Sequence, residues 1–144
     1  MTPWRVHKFG GSSVADAACM QRVAAILEAD ERPRLTVVLS ACRGVTDALL
    51  GLVAAAEEHT RDVTPDIDAL RARHLEIART LLDPPALDAF VSELDADLRD
   101  IAGIMQTVRL IRSASAPVRD LVAGFGELWS SCLFTRYFTR RVRA

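Results

Sequence analysis

Lys8 is the only lysine in a chain whose other seventeen cationic side chains, of eighteen Lys and Arg, are all arginine. It sits in the run Lys8-Phe9-Gly10-Gly11-Ser12-Ser13-Val14-Ala15. Arginine is a planar fork, whereas lysine is a compact point charge on a flexible stem. A lysine kept in an otherwise arginine-only chain therefore suits a small cation that must follow a moving phosphoryl group. The glycine pair lets backbone approach an anion closely. If Ser12 or Ser13 opens a helix, its first-turn N–H groups and dipole favour negative charge at the same place. Lys8, Gly10, Gly11, Ser12 and Ser13 are thus a candidate phosphate site. The run is neither a Walker loop nor a dinucleotide fingerprint, and a tight strand-to-helix turn that merely needs glycine would have the same spelling.

Those residues need a strand and a helix to hold them. Residues 4–9 alternate, with Trp4, Val6 and Lys8 on one face and Arg5, His7 and Phe9 on the other, which reads as a strand ending at Gly10. Ser12 or Ser13 is the expected cap; with Ser13 as the cap, Asp16 falls near the capping-box position. Val14, Met20, Val23, Ala24 and Leu27 carry the helix to about Ala29. Leu35-Thr36-Val37-Val38-Leu39 is a continuous apolar and β-branched run, the pattern of a parallel strand covered on both faces. Strand, helix, strand makes a βαβ unit with parallel strands. The loop Ser40–Thr46 follows, with Thr46 or Asp47 as the expected cap of a helix that fades near His59.

The rest reads as helix. Thr64-Pro65 starts one that runs to about Leu82. A long one carries Leu87, Phe90, Leu94, Leu98, Ile101, Met105 and Val108 to about Arg112, roughly 40 Å at ~1.5 Å per residue. A short element at 118–123 ends at Gly124, and a last amphipathic helix runs from about Glu127 to the chain's end. Two parallel strands among about six helices make an incomplete α/β sheet, because both outer edges stay unpaired. The expectation is the N-terminal portion of a larger α/β domain, with residues 1–144 as one segment of it.

Composition narrows the partners. The 144 residues suit one domain; half are apolar and the formal net charge is -1, so no global field draws the chain to nucleic acid or membrane. No segment is apolar over the ~18 residues of a membrane span, and no signal peptide is visible. Cys19, Cys42 and Cys132 are too scattered for a zinc site or disulfide framework and suit reduced thiols in a cytoplasmic protein. His7, His59 and His74 show no metal-ligand spacing, so no protein metal site is expected.

Three runs together resemble one family. Lys8-Phe9-Gly10-Gly11-Ser12-Ser13-Val14 resembles the opening signature of aspartate kinases. Val37-Val38-Leu39-Ser40-Ala41 with Gly44-Val45-Thr46-Asp47 resembles their second strand and loop, and Gly126-Glu127-Leu128-Trp129-Ser130-Ser131 resembles a later segment. The order and spacing agree over essentially the whole chain. The resemblance implies the three-layer α/β/α amino-acid kinase fold and transfer of the γ-phosphoryl of ATP, carried with Mg2+, to the β-carboxylate of L-aspartate. That reaction opens the route to lysine, threonine, methionine and diaminopimelate. By the same resemblance Lys8 stabilises the transferring group, with Gly10, Gly11, Ser12 and Ser13 around the phosphate. Ser40 and Thr46 line the aspartate site, and Glu127 holds the substrate's ammonium. Phe125 and Arg43 depart from the family's usual residues beside these runs.

The resemblance further implies that the rest of the kinase domain, including an Arg and an Asp of the active site, belongs to sequence beyond these residues. ACT domains, homoserine dehydrogenase or diaminopimelate decarboxylase can follow in the family. The isolated chain is accordingly expected to be inactive and to associate as a homo-oligomer. Two other readings stay open at this point. One is a non-catalytic helical interaction module using a Trp129/Phe134/Phe138 stripe. The other is a kinase acting on N-acetylglutamate or carbamate.

Overall fold

The structure, a computed structural model, describes residues 3–142; Arg143 and Ala144, at the end of the last expected helix, lie outside the described residues. Strands β1 (Arg5–Phe9) and β2 (Leu35–Leu39) are parallel, with Arg5 beside Leu35 and Phe9 beside Leu39. Between them run a 3-10 turn (Gly11–Val14) and helix α1 (Ala17–Glu28). Four helices follow: α2 (Val45–Glu58), α3 (Thr64–Leu81), α4 (Pro84–Ile111) and α5 (Ala116–Arg141).

The helix starts differ from expectation in instructive ways. Neither Ser12 nor Ser13 caps α1. The glycines let the chain tighten into the 3-10 turn, closed by Ser13 N–H donating to the Gly10 carbonyl at 2.9 Å and pinned by the fully buried Val14. The cap is Asp16, whose carboxylate accepts from Cys19 N–H at 2.7 Å. That backbone hydrogen bond, with further donors, holds the Asp16 carboxyl below its ordinary value. Neither Thr46 nor Asp47 caps α2. Gly44 does, at φ 78°, and this left-handed turn admits the chain to the helix at Val45, leaving Thr46 and Asp47 inside the first turn. Helix α4 begins at Pro84, with Asp83 as cap to Ala86 N–H at 3.1 Å, earlier than the apolar period revealed.

The short element at 118–123 and the last helix are one helix. Gly124 and Gly126 lie inside α5, although a helical glycine costs about 1 kcal/mol relative to alanine. Gly126 is buried, and a Cβ there would come 2.7 Å from Ala41 Cβ and 3.2 Å from Val45 Cγ1. Close packing of α5 on α2 decides the local structure, against propensity.

One face of the sheet is covered and the other is open. His7, Phe9, Leu35, Val37 and Leu39 are half-buried on the helix side, and Phe9, Val37 and Leu39 pack on the core. Val6 and Val38, on the opposite face, are 63% and 46% exposed. The expectation that β2 is covered on both faces is therefore corrected: the helices among the described residues stack on one side. The core runs through α1, α2, α4 and α5 around Met20, Leu49, Leu52, Phe90, Leu94, Ile101 and Trp129. Trp129 is 2% exposed, donates from Nε1 to Asp97 Oδ2 at 2.9 Å, and meets the His74 ring edge-on at 5.0 Å. Phe134 is 3% exposed and stacks on Phe138. The aromatic stripe is core packing, which removes the basis for an interaction module built on it.

Candidate active site

The three runs of chemical interest meet at the carboxyl edge of the two strands. There Ser40 N–H donates to the Phe9 carbonyl and Arg43 N–H to the Gly11 carbonyl, each at 3.0 Å. The glycine turn after β1 thus lies against the loop after β2. Gly11 is needed for that approach: a Cβ would lie 2.9 Å from the Ala41 carbonyl oxygen and 3.4 Å from Arg43 backbone. Helix α5 joins from the side. Its Ser130 hydroxyl donates to the Ser40 carbonyl at 2.7 Å, and Gly126 seats the helix on Ala41 and Val45. Residues from positions near 10, 40 and 128 become one surface.

Lys8 projects from the open face of the sheet and is exposed. Its Nζ lies 3.8 Å from where a Gly10 Cβ would stand, so the ammonium is at the glycine turn. Among the described residues Lys8 belongs to none of the ion pairs, which otherwise join Arg or His to Asp or Glu. Gly10 and Gly11 are half-buried in the turn, Ser12 is exposed and Ser13 half-buried beside them. Ser40 and Thr46 are half-buried in and just after the β2–α2 loop. With the caps supplied by Asp16 and Gly44, the hydroxyls of Ser12, Ser13 and Thr46 are free of the capping role. Glu127 is exposed and well inside α5, far from the helix start at Ala116, so it is not a first-turn carboxylate serving the dipole.

Of the eight residues singled out from the sequence, hydrogen bonds tie Gly11 and Ser40 into the loop junction, and the Ser130 hydroxyl joins Ser40 to Glu127; the others lie beside these in the same turn, loop and helix. Among the described residues no ion pair joins Lys8 to Glu127. A cation at a glycine turn and a carboxylate on a neighbouring helix, unpaired with each other, can serve two ends of a zwitterion plus phosphate. Arg73 buttresses the edge from behind: Nη2 donates to the Ala15 carbonyl at 3.3 Å, and Nη1 is near Gly44. Beneath the loop, burial pushes the Cys42 thiol up to about 11, partly offset by Arg73, so this cysteine is an inert core group.

Sequence reasoning missed Ser130 and the close-approach role of Gly126. Both had a signal: they fall four apart on the same face as Trp129 and Leu133, so small and polar residues occupy an apolar stripe. Among the described residues no three His, Cys, Asp or Glu side chains gather to hold a metal ion, and no helix is long and apolar enough to cross a membrane. A groove of about 840 Å³ between α4 and α5, lined by Ile104, Ile111, Leu121 and Phe125 among others, contains none of the site residues.

Comparison with known proteins follows the same residues. The sequence pattern described as "Amino acid kinase family" matches residues 3–142. The chain is 33% identical over 138 residues to the bifunctional aspartokinase/homoserine dehydrogenase 2 of Arabidopsis thaliana, covering 96% of this chain and 15% of that protein. It is 34% identical over 136 residues to the lysine-sensitive aspartokinase 3 of Escherichia coli, covering 94% and 28% respectively. The crystal structure of E. coli aspartokinase III with aspartate and ADP superposes with a TM-score of 0.83 at 30% identity, over 97% of this chain and 30% of that one. The chain therefore spans between about a seventh and a third of the length of these relatives. The helix-rich α/β architecture with two parallel strands is that of the amino-acid kinase fold seen in the aspartokinase structures.

Proposed function

This chain belongs to the amino acid kinase family, and from that premise we propose that it is the N-terminal segment of an aspartate kinase. The reaction transfers the γ-phosphoryl group of ATP to the β-carboxylate of L-aspartate. A carboxylate oxygen bonds to the γ-phosphorus, the bond to the β,γ-bridging oxygen breaks, and ADP leaves. The product is 4-phospho-L-aspartate, the acyl phosphate from which lysine, threonine and methionine synthesis starts. Such chemistry rests on positioning and charge neutralisation rather than covalent participation by the protein.

The observation that carries the reading is the junction of the glycine turn, the Ser40–Thr46 loop and the Gly126–Ser130 segment at one sheet edge. Lys8, free at the glycine turn, neutralises charge on the transferring phosphoryl. Gly10 and Gly11 permit backbone approach to the phosphates, with the Ser12 and Ser13 hydroxyls beside them. Ser40 and Thr46 hydrogen-bond aspartate, and Glu127 pairs with its ammonium. Mg2+ arrives with ATP as part of the substrate, bound to its phosphates. The E. coli aspartokinase III crystallised with aspartate and ADP supports this substrate pair. We read the protein as cytoplasmic and homo-oligomeric, and the isolated 144 residues as inactive, because they match only 15% to 30% of the length of the aspartokinase relatives and so hold part of an ATP site.

The test is ADP release by the intact protein carrying this chain, with aspartyl phosphate trapped as the hydroxamate. Aspartate, glutamate and N-acetylglutamate are compared as acceptors, and carbamoyl phosphate formation from carbamate is assayed in parallel. Turnover with aspartate alone is the expected result; preference for another acceptor would replace the reading by a different kinase of the family. Aspartyl-phosphate formation by the isolated 144 residues would refute the inactivity of the segment.

A further inference from the structure

Ser130 is buried completely, in the interior stripe of α5, yet it carries a hydroxyl. A helical serine commonly turns its hydroxyl back to a carbonyl of its own helix, and Ser130 Oγ does lie 3.1 Å from the Glu127 carbonyl. Its shorter contact is elsewhere: 2.7 Å to the carbonyl of Ser40, ninety residues away in the chain. The two carbonyls that one hydroxyl touches belong to two residues proposed to hold aspartate. Gly126, one turn earlier, makes the approach possible, since a Cβ there would collide with Ala41, the residue after Ser40.

We infer that Ser130 is a positioning residue that fixes the spacing between Ser40 and Glu127, and so sets the width of the amino-acid side of the site. This rests on the aspartate-kinase reading above. Without the hydroxyl, the Ser40 carbonyl loses its partner on α5, and α5 with Glu127 is free to shift relative to the loop. A displacement on the order of 1 Å at a substrate-positioning group is enough to reduce turnover by about a hundredfold. The glycine turn with Lys8 is joined to the loop by separate backbone bonds, from Ser40 N–H to Phe9 and from Arg43 N–H to Gly11. The nucleotide side is therefore held independently of Ser130.

That separation gives the test. In the intact protein, steady-state kinetics are measured for Ser130→Ala, with Ser131→Ala as the neighbouring hydroxyl deletion outside the site, each well below its own unfolding midpoint. Ser130→Ala is expected to raise KM for aspartate about tenfold or more while KM for ATP stays within about twofold. Ser131→Ala leaves both unchanged. Ser130→Cys keeps a donor, though a weaker and slightly larger one; it is expected to fall between wild type and Ser130→Ala, and it carries the test if the alanine variant does not fold. Equal rises in both KM values, or an aspartate KM within about twofold of wild type in both variants, would overturn the inference alone. A wild-type protein without aspartate-dependent turnover would overturn the kinase reading and this inference with it.

Discussion

Replacing Gly126 by alanine should push α5 off the site, and its neighbour Gly124 supplies the control. Both glycines lie inside α5. Nothing stands within 4 Å of a Cβ added at Gly124, whereas one added at Gly126 would be 2.7 Å from Ala41 Cβ and 3.2 Å from Val45 Cγ1. Carbon–carbon contacts are comfortable at about 3.5–4.0 Å, so the helix or the loop must yield by roughly 1 Å. Each substitution gains the same helical propensity, about 0.5–1 kcal/mol. Their difference therefore isolates the overpacking at Gly126, about 1–3 kcal/mol. For a domain of this size that separates the two unfolding midpoints by roughly 2–12 °C. Because α5 carries Glu127, the Gly126→Ala protein should also bind aspartate more weakly, while Gly124→Ala should be slightly stabilised with unchanged kinetics. Thermal unfolding by circular dichroism and aspartate titration of turnover measure the two effects. A Gly126→Ala protein as stable and as active as Gly124→Ala would refute the argument that this glycine exists for close approach.

Three further outcomes are expected. Lys8→Ala should lower kcat by about 10²–10³-fold, the scale for removing one transition-state charge partner, and Lys8→Arg should fail to restore it; near-normal turnover in either would remove Lys8 from the mechanism. Glu127→Gln should raise KM for aspartate by roughly 10–150-fold, from the ~1.5–3 kcal/mol of a charged hydrogen bond, and leave the unfolding midpoint unchanged because the side chain is exposed. His74 is completely buried with Nε2 unpartnered, and burial holds its pKa below 6.5 despite the Nδ1 contact with the Leu70 carbonyl. The unfolded chain then takes up a proton that the folded one refuses. Stability should be level at higher pH and fall as pH drops through 6.5, by up to about 1.4 kcal/mol per pH unit until the folded value is reached. Denaturant unfolding at pH 7.5 and 5.5 measures this, and a His74→Leu protein with the same pH dependence would show that other groups cause it.

The residues of the candidate site stand out in the sequence because chemistry would constrain them through residue type and short-range spacing. Lys8 stood out by composition, and the Gly10–Gly11 pair by its position between an alternating strand and a helical period. The helix boundaries were less legible. Ser13 and Thr46 look like caps by type, but whether a side chain caps depends on where the backbone turns first, and Gly11 and Gly44 turned it elsewhere. The supposed break at Gly124 had the same origin: glycine lowers helix propensity locally, and only packing on Ala41 and Val45 restores the balance at Gly126.

The sequence by itself determined the βαβ start, the long α4, the candidate phosphate turn and the resemblance to aspartate kinases, since these are written in local patterns of a few to about twenty residues. Tertiary structure alone decided that the aromatic stripe of α5 is core, that one face of the sheet is open, and that Ser130 ties Ser40 to Glu127. Burial and hydrogen bonding between segments ninety residues apart depend on how helices pack, and packing is a property of the whole arrangement rather than of any window along the chain.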